Sequence, residues 1–225
     1  MIFHLMKKDF LVSKKYILFM AALVILLPVF IAVRSPETMQ PNPMTEQASK
    51  VSGMLVFLLT TMYAELILVQ QISNSELKCP KAQSLLCAAP YSRSQMVTAQ
   101  YLFYIVLFAG CCILYGIASL VIPQVAPLSV EAVIVALFIN AIVYGVLMPL
   151  QYRFGVEKTR FTFMIIFFLA AFGGPTIVNQ LSVVDFSALT AIPAVALWSV
   201  LALAAVAVLW ISAWISIRIY KQKDL

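Results

Sequence analysis

The residues able to do chemistry are few. One histidine, His4, stands near the start of the chain, and four cysteines, Cys79, Cys87, Cys111 and Cys112, match neither metal-ligand spacing nor an extracellular disulfide framework. They read as small apolar residues. A hydrolase would need a nucleophile beside a base or a metal-ligand set, and neither H-E-x-x-H nor G-x-S-x-G occurs. The G-x-x-x-x-G-K-[ST] loop that cradles nucleotide phosphates is missing too. These patterns predict no catalytic residue, no metal ligand and no cofactor bound by this chain. What is left is one carboxylate, Glu65, inside a long apolar run, and one amide, Asn140, inside another. A charge there is costly unless it faces a polar cavity or a partner. Glu65 therefore lines a polar passage or meets a cationic group on one reading; on another it is protonated, or bonded to Asn140 or a helix neighbour.

The elements that must position these two side chains follow from composition. Hydrophobic residues make up 63% of the 225, charged residues 11%, and mean hydropathy is +1.00, beyond what a water-exposed domain could carry. Apolar runs at about 16–33, 51–72, 101–121, 132–150, 161–178 and 192–217 each suffice, at about 1.5 Å per residue, for roughly 27 Å of hydrocarbon. Lipid-exposed backbone must satisfy itself, and no barrel-like alternation is present, so the runs are predicted to be helices. The expectation is an all-α membrane protein, residues 1–225 forming one transmembrane domain of six spans. No cleavable signal peptide is expected, because the first span lacks a small-residue cleavage pattern.

Orientation follows from the basic residues. Lys7, Lys8, Lys14, Lys15, Lys78, Lys81, Arg93, Arg153, Lys158, Arg160, Arg218, Lys221 and Lys223, 13 of the 15, fall on one side; Arg34 and Lys50 fall on the other. Both termini and the segments after the second and fourth spans are therefore expected in the cytoplasm. The net charge of +6 is scattered in short clusters, which suits membrane orientation and argues against nucleic acid. Tyr16, Tyr101, Tyr152, Trp214 and Tyr220 fall near the proposed inner boundaries, as an aromatic belt would.

Two cytoplasmic stretches carry further pattern. In residues 1–15, Phe3, Met6 and Phe10 recur at helical spacing among lysines, which predicts an interfacial helix on the inner leaflet. Between the second and third spans, Pro80 starts and Pro90 ends a short helix, with Ala82, Leu85, Leu86 and Ala89 on one face. Such a helix docks in another protein's groove or lies on the membrane or its own bundle.

Pro90-Tyr91-Ser92-Arg93, Pro149 to Arg160 and, more weakly, Lys8-Asp9-Phe10 resemble the permease subunits of type-2 ATP-binding-cassette (ABC) transporters, in particular a short bacterial six-span branch that includes exporters of amphipathic peptide toxins such as phenol-soluble modulins. Pro90-Tyr91-Ser92-Arg93, followed by Val97 and Tyr101-Leu102, is similar to the family's P-x-S-R-x-x-x-V-x-x-x-Y-L passage. Pro149 to Arg160 is similar to its P-x-x-x-x-F-G-x-E-K-x-R loop, and Lys8-Asp9-Phe10 is a weaker third match. Glu76-Leu77-Lys78 and Pro80 depart from the usual opening of the second cytoplasmic segment.

The resemblance implies that residues 80–93 form a coupling helix seated in a cleft of a separate ABC ATPase subunit, through Gln83, Ser84, Leu85, Leu86, Pro90, Tyr91, Ser92 and Arg93. Phe154, Gly155, Glu157, Lys158 and Arg160 would form a second cytoplasmic contact. Gly155 permits a turn there, and Glu157 is placed to pair with Lys158, Arg160 or a neighbouring loop. Residues 173–193 would be short re-entrant or interfacial helices at an outer gate. ATP and Mg would be bound by the partner, and two permease copies, identical or not, would pair in a bacterial plasma membrane. Glu65 and Asn140 are the candidate residues of a translocation pathway for an amphipathic peptide or lipophilic compound. The alternatives are an ion-coupled secondary transporter, which would favour several buried ionisable groups and an internal repeat, and, further off, an intramembrane enzyme.

Overall fold

In hydrocarbon a chain can satisfy its backbone only within helices or closed barrels, and every described element is helical. The computed structural model describes residues 2–34, 53–67, 92–122, 125, 127–155, 158–159, 161 and 194–222. The helices are α1 (Ile2–Val12), α2 (Lys14–Arg34), α3 (Gly53–Ile67), α4 (Arg93–Val121), α5 (Val130–Phe154) and α6 (Ala194–Gln222). Among the described residues, three stretches are long and apolar enough to cross a membrane, Ser94–Val121, Val130–Phe154 and Ala196–Gln222, whereas Gly53–Ile67 is apolar but shorter. The expected span at 161–178 lies outside the described residues beyond Phe161, as do residues 80–91 of the coupling helix and the outer segment 173–193.

The surface identifies the solvent. Leu120, Trp210 and Leu18 are 87%, 79% and 77% exposed, and Phe30, Phe161, Leu203 and Trp214 stand out beside them. Burying one such side chain from water is worth about 1.5–3 kcal/mol, so a water-soluble chain would not leave so many uncovered. Lipid removes that penalty.

The chain divides into two compact units, residues 1–140 and 141–225. In the first, α1 and α2 pack on α4, and the core is built from Met6, Met20, Val24, Phe57, Phe103, Leu107, Phe108 and Tyr115 with the small residues Ala64, Cys111 and Ala136. The amphipathic N-terminal helix spends its apolar face on this bundle: Leu5 and Met6 are buried, and Phe10 meets the Phe103 ring edge-on at 5.0 Å. Lys7 stays exposed. A turn at Ser13 separates α1 from α2, with the Tyr16 and Ile17 N–H groups donating to the Ser13 carbonyl at 2.9 and 2.8 Å, so the expected single helix over 1–15 is divided.

The second unit holds the C-terminal part of α5 against α6. Ala205, Leu209, Ser212 and Ser216 form the buried stripe of α6, at steps of four, three and four. Gly145 of α5 lets the backbones approach: a Cβ there would stand 3.2 Å from Val208 Cγ1 and 3.5 Å from Ser212 Cβ. Helices in lipid associate through such close packing and through polar bonds rather than through a hydrophobic drive. The Ser212 hydroxyl supplies the bond, donating to the Gly145 carbonyl at 2.6 Å. Further along, Tyr152 and Tyr220 rings lie 5.3 Å apart. Both contacts advance together along the two helices, so α5 and α6 run parallel.

Candidate functional site: a buried polar cluster on α3, α4 and α5

One stripe of α3 is buried: Phe57, Thr60, Thr61, Ala64 and Glu65, at helical steps of three, one, three and one. Three of the five are polar. The two threonine hydroxyls are satisfied within their own helix, Thr60 Oγ1 donating to the Val56 carbonyl at 2.6 Å and Thr61 Oγ1 to the Phe57 and Leu58 carbonyls at 3.0 Å each. Thr61 also accepts, from Asn140 Nδ2 of α5 at 2.9 Å. This bond joins residues 79 positions apart in sequence and ties α3 to α5.

Glu65 lies one helical turn beyond Thr61 on the same face and is 4% exposed; Asn140 is 1% exposed. Glu65 Oε1 and Asn140 Oδ1 are both buried without a hydrogen-bond partner among the described residues. On α4, Tyr104, Cys111 and Cys112 lie within electrostatic reach of the Glu65 carboxyl. Phe57 packs edge-on against Tyr115 at 4.9 Å, which sets α3 antiparallel to α4. Two predicted pathway residues are thus brought into one cluster, each bonded or adjacent to Thr61. The Asn140 amide N–H donates to Thr61 Oγ1, and neither Glu65 Oε1 nor Asn140 Oδ1 has a donor among the described residues. Thr60 and Thr61 were not anticipated, although polar residues at 60, 61 and 65 on a stripe shared with Phe57 and Ala64 were visible in the sequence.

The other predicted residues fall elsewhere. Gln83, Ser84, Leu85, Leu86, Pro90, Tyr91, Glu157 and Arg160 lie outside the described residues. Ser92 is the N-cap of α4: its hydroxyl accepts from the Gln95 N–H at 3.3 Å, and Gln95 Oε1 accepts from the Ser92 N–H at 3.2 Å. This capping box satisfies two free donors of the helix start. Arg93 is the first residue of α4. At the end of α5, Gly155 adopts φ +86°, the left-handed conformation that glycine reaches without a Cβ penalty. Its N–H donates to the Gln151 carbonyl at 3.0 Å, and its own carbonyl accepts from the Thr159 N–H at 3.2 Å and the Thr159 hydroxyl at 2.8 Å. The expected turn is therefore present, with Lys158 exposed beside it. Phe154 is exposed, with the Arg153 guanidinium 5.4 Å from its ring centroid, and Arg218 sits 5.8 Å from the Trp214 ring. Tyr101, expected at the interface, is buried in the first unit. Among the described residues no group of His, Cys, Asp and Glu could hold a metal ion.

Long apolar helices, lipid-facing side chains and a polar cluster enclosed between helices define an integral membrane protein. The chain belongs to the ABC-2 family of transporter proteins: the model of that family, described as ABC-2 family transporter protein, matches residues 4–221. No curated protein and no solved structure matches it. It is therefore an ABC-2 permease, the membrane subunit of an ABC transporter in the plasma membrane, and the family implies a partner subunit that is the ATPase.

Proposed function

We propose that the chain is the six-span permease of an ATP-driven exporter, moved by a separate ABC ATPase and passing amphipathic peptides or lipophilic compounds, in the manner of the peptide-toxin exporters it resembles. The observation that carries the reading is the family match over 4–221 in a chain with no phosphate loop. Force must then arrive from outside through a rigid contact. Residues 80–93, a coupling helix in this reading, supply it through Leu85 and Leu86, with Gln83, Ser84, Pro90, Tyr91, Ser92 and Arg93 around them. Phe154, Gly155, Glu157, Lys158 and Arg160 make a second contact.

The parallel course of α5 and α6 supports the six-span count. Two parallel helices that both cross a bilayer need a return crossing between them, and residues 155–193 contain the apolar run 161–178. Arg153 in the last turn of α5 and Arg218 and Lys221 in the final turns of α6 gather charge at the ends that this topology puts in the cytoplasm, with both termini. The N-terminal lysines then lie at the inner leaflet. Two permease copies complete the pathway, and Glu65 and Asn140 meet cargo when α3 and α5 part. Short segments outside the membrane and an apolar lining favour amphipathic cargo over small polar solutes.

Leu85→Asp and Leu86→Asp test the reading in the complex of permease and ATPase. Both are expected to leave ATP hydrolysis running while cargo export falls to background; if both keep wild-type coupling, residues 80–93 are not the contact.

A further inference from the structure

The orphan atoms of the first unit leave an unanswered question of hydrogen bonding. Buried polar atoms are nearly always partnered, and one left alone costs about 1–3 kcal/mol. Here two acceptors, Glu65 Oε1 and Asn140 Oδ1, are sealed from solvent without a donor among the described residues. Asn140 is not free to turn away, because its Nδ2 is held 2.9 Å from Thr61 Oγ1. Thr61 and Glu65 are four residues apart, so their Cβ atoms are about 5–6 Å apart on one face of α3. The anchored amide therefore stands beside the turn that carries the carboxyl.

Among the described residues, the helices around Glu65 offer no positive charge. No lysine, arginine or histidine occurs in Gly53–Ile67, in Ser94–Val121 or in α5 between Val130 and Tyr152. Among the described residues, the titratable groups facing Glu65 are Tyr104, Cys111 and Cys112, none of which is cationic. An ionised carboxylate would stand uncompensated in this place, at a cost of several kcal/mol. A bridging water would need room and two or more partners, and a hydrated cation would have to part the helices. A proton needs no space.

We propose that Glu65 and Asn140 form a proton-binding site: the Glu65 carboxyl is neutral, and its O–H donates to Asn140 Oδ1, so that one proton satisfies both orphan atoms and latches α3 to α5. The chain of bonds then runs from Glu65 to Asn140 to Thr61 to the α3 backbone. The proposal concerns the closed bundle and holds whatever the cargo or the partner ATPase.

Infrared spectroscopy of the full chain in lipid bilayers at neutral pH tests it. Carboxyls in water are ionised at that pH, so the carboxylic-acid C=O stretch isolates a protonated buried group. The wild type should show this band, and Glu65→Gln, whose amide N–H replaces the O–H donor, should lack it while retaining the fold. In Asn140→Leu the band should persist at higher frequency, because its acceptor is gone. A wild type without the band overturns the bound proton, whether a water or a cation takes its place. A band unmoved by Asn140→Leu overturns the sharing with Asn140. The Glu65→Gln comparison decides the first point even if Asn140→Leu fails to fold.

Discussion

The seam of the second unit and the cluster of the first solve the same problem in different ways. Each holds two helices together in surroundings where hydrophobicity gives no drive. In the seam, Gly145 removes a side chain, Ser212 spans the gap with one hydroxyl, and donor meets acceptor at 2.6 Å. In the cluster, Thr61 and Asn140 make a similar bond at 2.9 Å, yet a carboxyl oxygen and an amide oxygen beside it have no partner among the described residues. A bundle that only needed stability would use the first solution twice. The cluster therefore holds more polarity than joining two helices needs, and the seam does not.

The comparison is broken most severely at Gly145. Gly145→Leu forces a branched side chain into a place where even a Cβ would stand 3.2 Å from Val208 Cγ1, and is expected to cost about 3 kcal/mol, read as a lowered midpoint of thermal unfolding in detergent. Thr61→Val removes the acceptor of the Asn140 amide and strands its buried N–H, for about 1–2 kcal/mol by the same measurement. Ser212→Ala deletes the seam's hydroxyl with little change of volume; interhelical bonds in lipid average about 0.6 kcal/mol, and a loss near that size is expected. The smallest effect belongs to Glu65→Gln, which keeps shape and supplies a permanent donor. Its unfolding midpoint should match the wild type, and a large drop would show that the carboxyl is ionised and paired.

Hydropathy placed the described helices because lipid acts on every side chain of a span at once. It missed their ends because ends are made by single polar residues. The third span was expected from Tyr101, but α4 begins at Arg93: Ser92 and Gln95 cap it, and the polar run from Arg93 to Gln100 stays helical while Val97 and Ala99 bury against the bundle. The S-x-x-Q spacing of that cap was legible. Likewise α5 starts at Val130, where the Ser129 hydroxyl accepts from the Ala132 N–H at 3.2 Å, and runs through Pro149 to Phe154 rather than stopping at Leu150. Gly155, read as a turn, is one.

At the candidate site the sequence singled out Glu65 and Asn140 by their cost in an apolar run. It could not join them, because the link passes through Thr61, whose hydroxyl is hidden by bonding to its own helix and whose partner is 79 positions away. Tyr101 was misplaced for a related reason: a tyrosine near a span's edge looks the same whether it faces lipid headgroups or its own bundle.

The central claim is that a chain without nucleotide chemistry is driven through the segment ahead of α4. A photoreactive amino acid substituted for Leu86, in cells that also make the ATPase, measures it most directly. The expected result is a crosslink to the ATPase subunit, with native Cys87 shielded from a membrane-impermeant thiol reagent added to intact cells. Labelling of Cys87 from outside, with no crosslink to the ATPase, would contradict it.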